Sequence, residues 1–144
     1  MNRRLALLTW LVVAAAAPAS AQRFTALGIP DSDVLASLQR FQAAVASGNR
    51  TAIADMVAYP LRVNRGPEQH TVIAGRKDLL ARYAAVFTAD VRRAIAATNL
   101  NDVLGGVDGV AVGRGAAWFT STCTSTRPIK CQVRLSSINQ RAGP

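Results

Sequence analysis

Apolar residues recur at helical spacing early in the chain, where Val34, Leu38, Phe41 and Val45 form one stripe. This predicts a helix from about residue 31 to 47. Asp31 or Ser32 is placed to cap it, and Gly48-Asn49 to stop it. Residues 22–30 read as an extended lead-in. A second, shorter helix is expected from Arg50 or Thr51 to Ala58, burying Ile53, Met56 and Val57. Tyr59-Pro60 should end it, because the residue before proline is pushed out of the helical region. Residues 61–64 and 70–74 read as two short strands around an Arg65-Gly66-Pro67 turn. A third helix is predicted over 76–87, with Leu79, Leu80, Tyr83 and Val86 or Phe87 inward, and Asp90 can cap a further turn or two over 91–97. Residues 99–108 are polar and glycine-bearing, which suits a loop with room for one short strand. The last third is β: residues 110–123, with a bulge, kink or turn at Gly113 and Gly115, then 129–138. The tail, residues 141–144, should fray.

The order is helices, two short strands, helices, then a long antiparallel pair. That is an α+β pattern, in which N-terminal helices pack against a curved antiparallel sheet. No repeat or linker divides the chain, so residues 22–144 are expected to be one domain with its core in 31–139.

The N-terminus adds a destination. Arg3 and Arg4 precede an apolar run over residues 5–17, and Pro18 then Ala19-Ser20-Ala21 offer a small-x-small cleavage pattern. The run is shorter than the roughly 20 apolar residues of a spanning helix. Residues 1–21 are therefore read as a signal peptide cleaved before Gln22, and the mature chain as periplasmic or secreted with no membrane span. Removing Arg3 and Arg4 leaves fifteen Lys and Arg against eight Asp and Glu, of which only Glu68 is a glutamate. The basic residues stand singly or in pairs and are not interleaved with aromatics. A solvated surface is thus favoured over a nucleic-acid or anionic-membrane face.

The mature chain has two cysteines, Cys123 and Cys131, and outside the cytoplasm an even count favours a bridge. Two thiols and one distant histidine do not make a closed metal site, so no metal or cofactor is expected. If the cysteines face each other across an antiparallel hairpin, Phe119 faces Leu135 and Ser121 faces Val133 on the cysteine side. Trp118 then faces Ser136, and Thr120 faces Arg134, on the other side. The side carrying Phe119, Val133 and Leu135 should be the one that helices cover, unless a bulge shifts the register.

Several segments together resemble the nuclear transport factor 2-like superfamily, also called the ketosteroid-isomerase-like or cystatin-like α+β cone. They are Phe41-x-x-Ala44-Val45-x-x-Gly48-Asn49, Ile53-Ala54-Asp55-Met56-Val57, Tyr59-Pro60-Leu61 and Gly75-Arg76-x-Asp78-Leu79-Leu80. Ala116-Ala117-Trp118-Phe119 and the final Ser137-Ile138-Asn139 complete the set. They span most of residues 33–139, and the chain looks most like small exported bacterial members without assigned activity. The resemblance implies a cone-shaped fold, and it allows a homodimer through the open sheet face. It does not by itself imply an activity, since the superfamily hosts isomerases, dehydratases and ligand binders.

The catalytic alternative is an acid/base isomerase or hydratase using His70, with Asp55 as carboxylate and Tyr59 or Tyr83 as hydrogen-bond donor. Against it, Asp55 falls on a helix whose inward positions are apolar, and His70 opens a short strand where an exposed imidazole is unremarkable. Gly105-Gly106-Val107-Asp108-Gly109 has no lysine and no following helix, so it is not a phosphate loop. Tyr59, Leu61, Tyr83, Phe87, Trp118 and Phe119 could instead line an apolar pocket at the cone mouth, or simply fill the core. The expected function is therefore a non-catalytic domain binding a small apolar ligand or an envelope protein. Catalysis is the first alternative, and a polyanion or membrane-surface binder the second.

Overall fold

The computed structural model describes residues 22–141. The predicted signal peptide and most of the predicted tail lie outside the described residues. Helix α1 (Asp31–Ser47) is followed by α2 (Arg50–Asp55), β1 (Val57–Asn64), β2 (His70–Ile73), α3 (Arg76–Ala81), α4 (Tyr83–Val86) and α5 (Ala89–Ala96). The chain ends in β3 (Gly105–Gly106), β4 (Gly109–Val112), β5 (Ala117–Cys123) and β6 (Cys131–Asn139). The six strands form one curved, unclosed sheet in the order β2-β1-β6-β5-β4-β3. All neighbouring pairs are antiparallel except β1 with β6, which is parallel. The fold is α+β.

The stripe on α1 meets one face of this sheet. Val34, Leu38, Phe41 and Val45 are all buried. The Phe41 ring lies edge-on to Phe119 of β5 at 4.9 Å between centroids and 6.3 Å from Phe87. Phe87 in turn stacks on Tyr83 at 5.0 Å. Leu61, Val63, Ile73, Val133, Leu135 and Ile138 complete the inward face of the strands.

Hairpin β5–β6 keeps the predicted register from Cys123↔Cys131 to Phe119↔Leu135, and the Cys123–Cys131 bridge is formed. Phe119, Val133 and Leu135 are buried. The register then slips by one. Trp118 faces Ser137 rather than Ser136, because Ser136 is the extra residue of a bulge and its hydroxyl donates to the Trp118 carbonyl at 3.1 Å.

Other boundaries differ for local reasons. The lead-in is not extended throughout: Thr25–Leu27 is a 3₁₀ turn, and Phe24, Leu27 and Ile29 enter the core. Asp31 does not cap its own helix. Its carboxylate accepts from the amides of Arg23 and Phe24, at 2.7 and 3.1 Å, and so ties down that lead-in. Helix α2 stops at Asp55, and Tyr59-Pro60 lies inside β1, not at a helix end. The proline is tolerated there because β1 breaks its pairing with β6 between Val57 and Arg62. The predicted helix over 76–87 is interrupted at Arg82, giving α3 and α4. Thr88, not Asp90, caps α5, its hydroxyl accepting from Val91 N–H. The predicted strand over 110–123 is two strands, β4 and β5, joined at a turn containing Gly113, Arg114 and Gly115, all at positive φ.

Candidate functional site

An open groove of about 810 Å³ lies between α5 with the segment that follows it and the β4–β5 turn. The α5 wall is fixed from α1: the Gln42 amide donates to the carbonyls of Ile95 and Thr98, each at 2.9 Å, satisfying groups that the helix end leaves free. The turn wall is fixed through Thr98, whose hydroxyl donates to Ala94 O at 3.0 Å and accepts from Gly113 N–H at 2.8 Å. Asn139 closes one end, donating to Gly115 O at 2.7 Å while its side-chain oxygen accepts from Asn64 at 2.6 Å. These bonds hold a lining of Val91, Ala94, Ala97, Val103, Ala111 and Ala116, with Leu104 on the rim at 70% exposure.

The charged groups of the groove are unequal. Arg93 pairs with Asp90 at 3.0 Å across exposed side chains, a contact that water weakens. Asp102 accepts from the Asn99 amide at 2.8 Å. The Arg114 guanidinium makes no hydrogen bond or ion pair among the described residues, and its backbone sits at φ +53° at the head of the turn. The groove therefore offers small apolar side chains beside one uncommitted cation.

The residues singled out from sequence fall elsewhere. Leu61, Tyr83, Phe87 and Phe119 are core residues, and none of the six aromatic and aliphatic candidates lines this groove. Tyr59 is partly buried and donates to Ala54 O at 2.9 Å; burial raises its pKa, only partly opposed by nearby Arg76. Trp118 points to the opposite face of the sheet from Phe119, in a row with Ala111, Ser137 and Arg62. His70 is exposed at the first position of β2. Asp55 is exposed at the end of α2 and pairs with Arg76 at 2.8 Å. No hydrogen bond or ion pair joins His70 to Asp55. Arg134 donates to the carbonyl of Asp55 at 3.0 Å, so this arginine stitches α2 to β6.

The sequence reading missed Thr98, Leu104, Arg114 and Asn139 as a set. The available signals were faint: a polar, glycine-bearing stretch from 99 to 108 in which Leu104 stands without helical or strand periodicity, and an arginine between two glycines read only as a turn. No group of three or more His, Cys, Asp or Glu side chains able to hold a metal occurs among the described residues. Nor is any described helix long and apolar enough to cross a membrane. The Cys123–Cys131 bridge fits an oxidising compartment outside the cytoplasm. No family model, no curated protein and no solved structure matches the chain.

Proposed function

We propose that this is an exported, non-catalytic domain of the cell envelope, a member of the nuclear transport factor 2-like superfamily, that binds a small ligand in the groove beside α5. The ligand has an apolar body and one acidic group. The observation that carries the reading is the open groove itself. Its volume lies in the range of small-molecule sites, its lining sets small apolar side chains among polar ones such as Thr98, Asp102 and Asn139, and Arg114 is left uncommitted at one wall. The family assignment rests on the sequence segments over residues 33–139, and the fold agrees with it only at the level of its α+β class. The leader over residues 1–21 and the Cys123–Cys131 bridge support export. A non-catalytic role is supported by the separation of the acid/base candidates: Asp55 is committed to Arg76, and His70 stands exposed.

Anilinonaphthalene sulfonate, with apolar rings and one negative charge, is a direct probe. The mature chain should give a saturable, single-site fluorescence rise. Leu104→Ser and Arg114→Asn should each weaken it about tenfold, the loss of one apolar or charge-assisted contact. Asparagine is chosen because it tolerates the left-handed backbone at 114. Non-saturating binding, or binding indifferent to both changes, would remove the groove from consideration.

A further inference from the structure

The β5–β6 hairpin carries a second feature, independent of the groove. Residues 124–130, Thr-Ser-Thr-Arg-Pro-Ile-Lys, are all exposed and project from the strand ends beyond the bridge. The loop is nonetheless ordered from within. Thr124 N–H donates to Lys130 O at 2.9 Å, and Lys130 N–H donates back to the Thr124 hydroxyl at 3.0 Å. That hydroxyl reaches the carbonyls of Thr126 at 3.3 Å and Pro128 at 3.5 Å. The side chains of Ser125, Thr126, Arg127 and Lys130 make no hydrogen bond or ion pair among the described residues, and Ile129 is 63% exposed. A protruding segment fixed by a covalent tie and its own hydrogen bonds has little freedom left to lose on binding.

We infer that this loop is an inhibitory loop for serine endopeptidases whose primary pocket takes a small side chain, with Ser125–Thr126 as the bond presented for attack. Three observations select that bond. Arg127 is followed by Pro128, which has no N–H and a bulky ring at the leaving nitrogen. Lys130 is followed by the bridged Cys131, the first residue of β6. Enzymes that cut after a basic residue are thus disfavoured at both cations. Of the remaining bonds, those after Thr126 and Pro128 have carbonyls that already accept from the Thr124 hydroxyl, and the one after Ile129 presents a large side chain, whereas the Ser125 carbonyl accepts no hydrogen bond among the described residues and can enter an oxyanion hole.

The chemistry explains why such a loop would inhibit rather than be consumed. The peptidase serine Oγ attacks the Ser125 carbonyl carbon while its own proton passes to the catalytic base. The Ser125–Thr126 C–N bond breaks, the base returns the proton to the Thr126 nitrogen, and Ser125 is left as an ester. In an ordinary substrate the amine half departs and water cleaves the ester. Here the amine half remains tied through Cys123–Cys131 and the β5–β6 ladder. The Thr126 amine can then re-attack the ester, expel the serine Oγ and restore the peptide bond. Its high effective concentration lets it outrun water.

The test incubates the mature chain with an elastase-type endopeptidase and with a lysine-specific one, following hydrolysis of a chromogenic substrate. The expected result is saturable inhibition of the first enzyme, with the loop largely intact on a mass spectrum. Ser125→Lys should lose about 100-fold against the first enzyme and gain inhibition of the second. Ser125 is exposed and its side chain makes no hydrogen bond among the described residues, so folding is not at risk. Cys123→Ser/Cys131→Ser should turn the inhibitor into a substrate that is cut to completion. Failure of the native chain to inhibit the elastase-type enzyme at a hundredfold molar excess overturns the proposal, as does cleavage of the native loop at the rate of an unstructured peptide.

Discussion

Tyr83 lies in the core, its ring stacked on Phe87 and the Arg50 guanidinium 4.8 Å above its centroid, yet its buried hydroxyl reaches no partner among the described residues. An unsatisfied buried hydroxyl costs about 1–3 kcal/mol, while the ring contacts do not need it. Tyr83→Phe should therefore stabilise the chain by about 1 kcal/mol in urea unfolding; a loss of that size would mean that the hydroxyl has a partner. Burial also raises the Tyr83 pKa, with Arg92 and Arg50 opposing the rise. The folded chain thus resists the phenolate. The Tyr83 contribution is present below the ordinary phenol pKa of about 10 and is lost as pH climbs beyond it, so Tyr83→Phe should flatten the alkaline limb of the Tm–pH curve. Asp78 has the opposite sign. Arg82 and then the Ala74 N–H hold its carboxyl below the usual value. Its stabilisation is present above the ordinary aspartate pKa of about 4 and disappears as pH falls through the folded value. Asp78→Asn should make Tm less sensitive to pH on the acid side, and an unchanged acid limb would count against that pair. Gly109 is fixed by space: a Cβ at its φ of +117° would stand 2.1 Å from the Phe119 carbonyl oxygen.

Among the elements, the β5–β6 hairpin was the most legible from sequence. Two cysteines eight positions apart, with alternating residues behind them, define which positions face each other and which side is apolar. What the alternation could not reveal was the bulge at Ser136. A serine suits either face, and the slip is held by its own bond to the Trp118 carbonyl. Helix α1 was equally readable, since one stripe and the Gly48 stop, at φ +67°, determine its face and end. Tyr59-Pro60 misled because proline is usually a helix stop, whereas here it occupies a break in strand pairing that only the tertiary fold creates. The lead-in was opaque for a similar reason: the Phe24 ring lies against Gly105 of β3, far along the chain, while Asp31 holds its amide. The bridge closes a short loop, so the chain-entropy model assigns it about 2–3 kcal/mol. Cys123→Ser/Cys131→Ser should stay folded, with a free energy of unfolding in urea lower by that amount and a correspondingly lower midpoint. A chain that fails to fold would make the bridge a condition of the fold rather than a clamp on the hairpin end.

At the scale of the molecule, core and charge are organised differently. The core is one continuous cluster, with Phe41 touching Phe119 of the sheet and Phe87 behind α4, so it joins three layers of contact. Truncating such a ring leaves a cavity that rigid neighbours cannot close, and Phe41→Ala should cost about 3–5 kcal/mol. The candidate groove lies outside this cluster's aromatic centre, which is why reading aromatic residues as a pocket located the core instead. Positive charge, by contrast, has no centre. Arg114 and Arg127 stand beyond opposite ends of β5, Arg40 and Arg92 lie on separate helices, and Arg62 is on the uncovered face of the sheet. Arg76, Arg82 and Arg93 are paired with Asp55, Asp78 and Asp90. A polyanion gains affinity by releasing counterions in proportion to the cations it meets at once, and a dispersed set presents few on any one side. The chain's net charge of +9, lower by two without the leader arginines, should therefore give only loose attraction. On immobilised heparin the mature chain should be retarded at low ionic strength and released by about 150 mM salt, where the screening length is near 8 Å. Retention well above that would require several arginines to converge on one ligand, and would favour the polyanion reading over the groove.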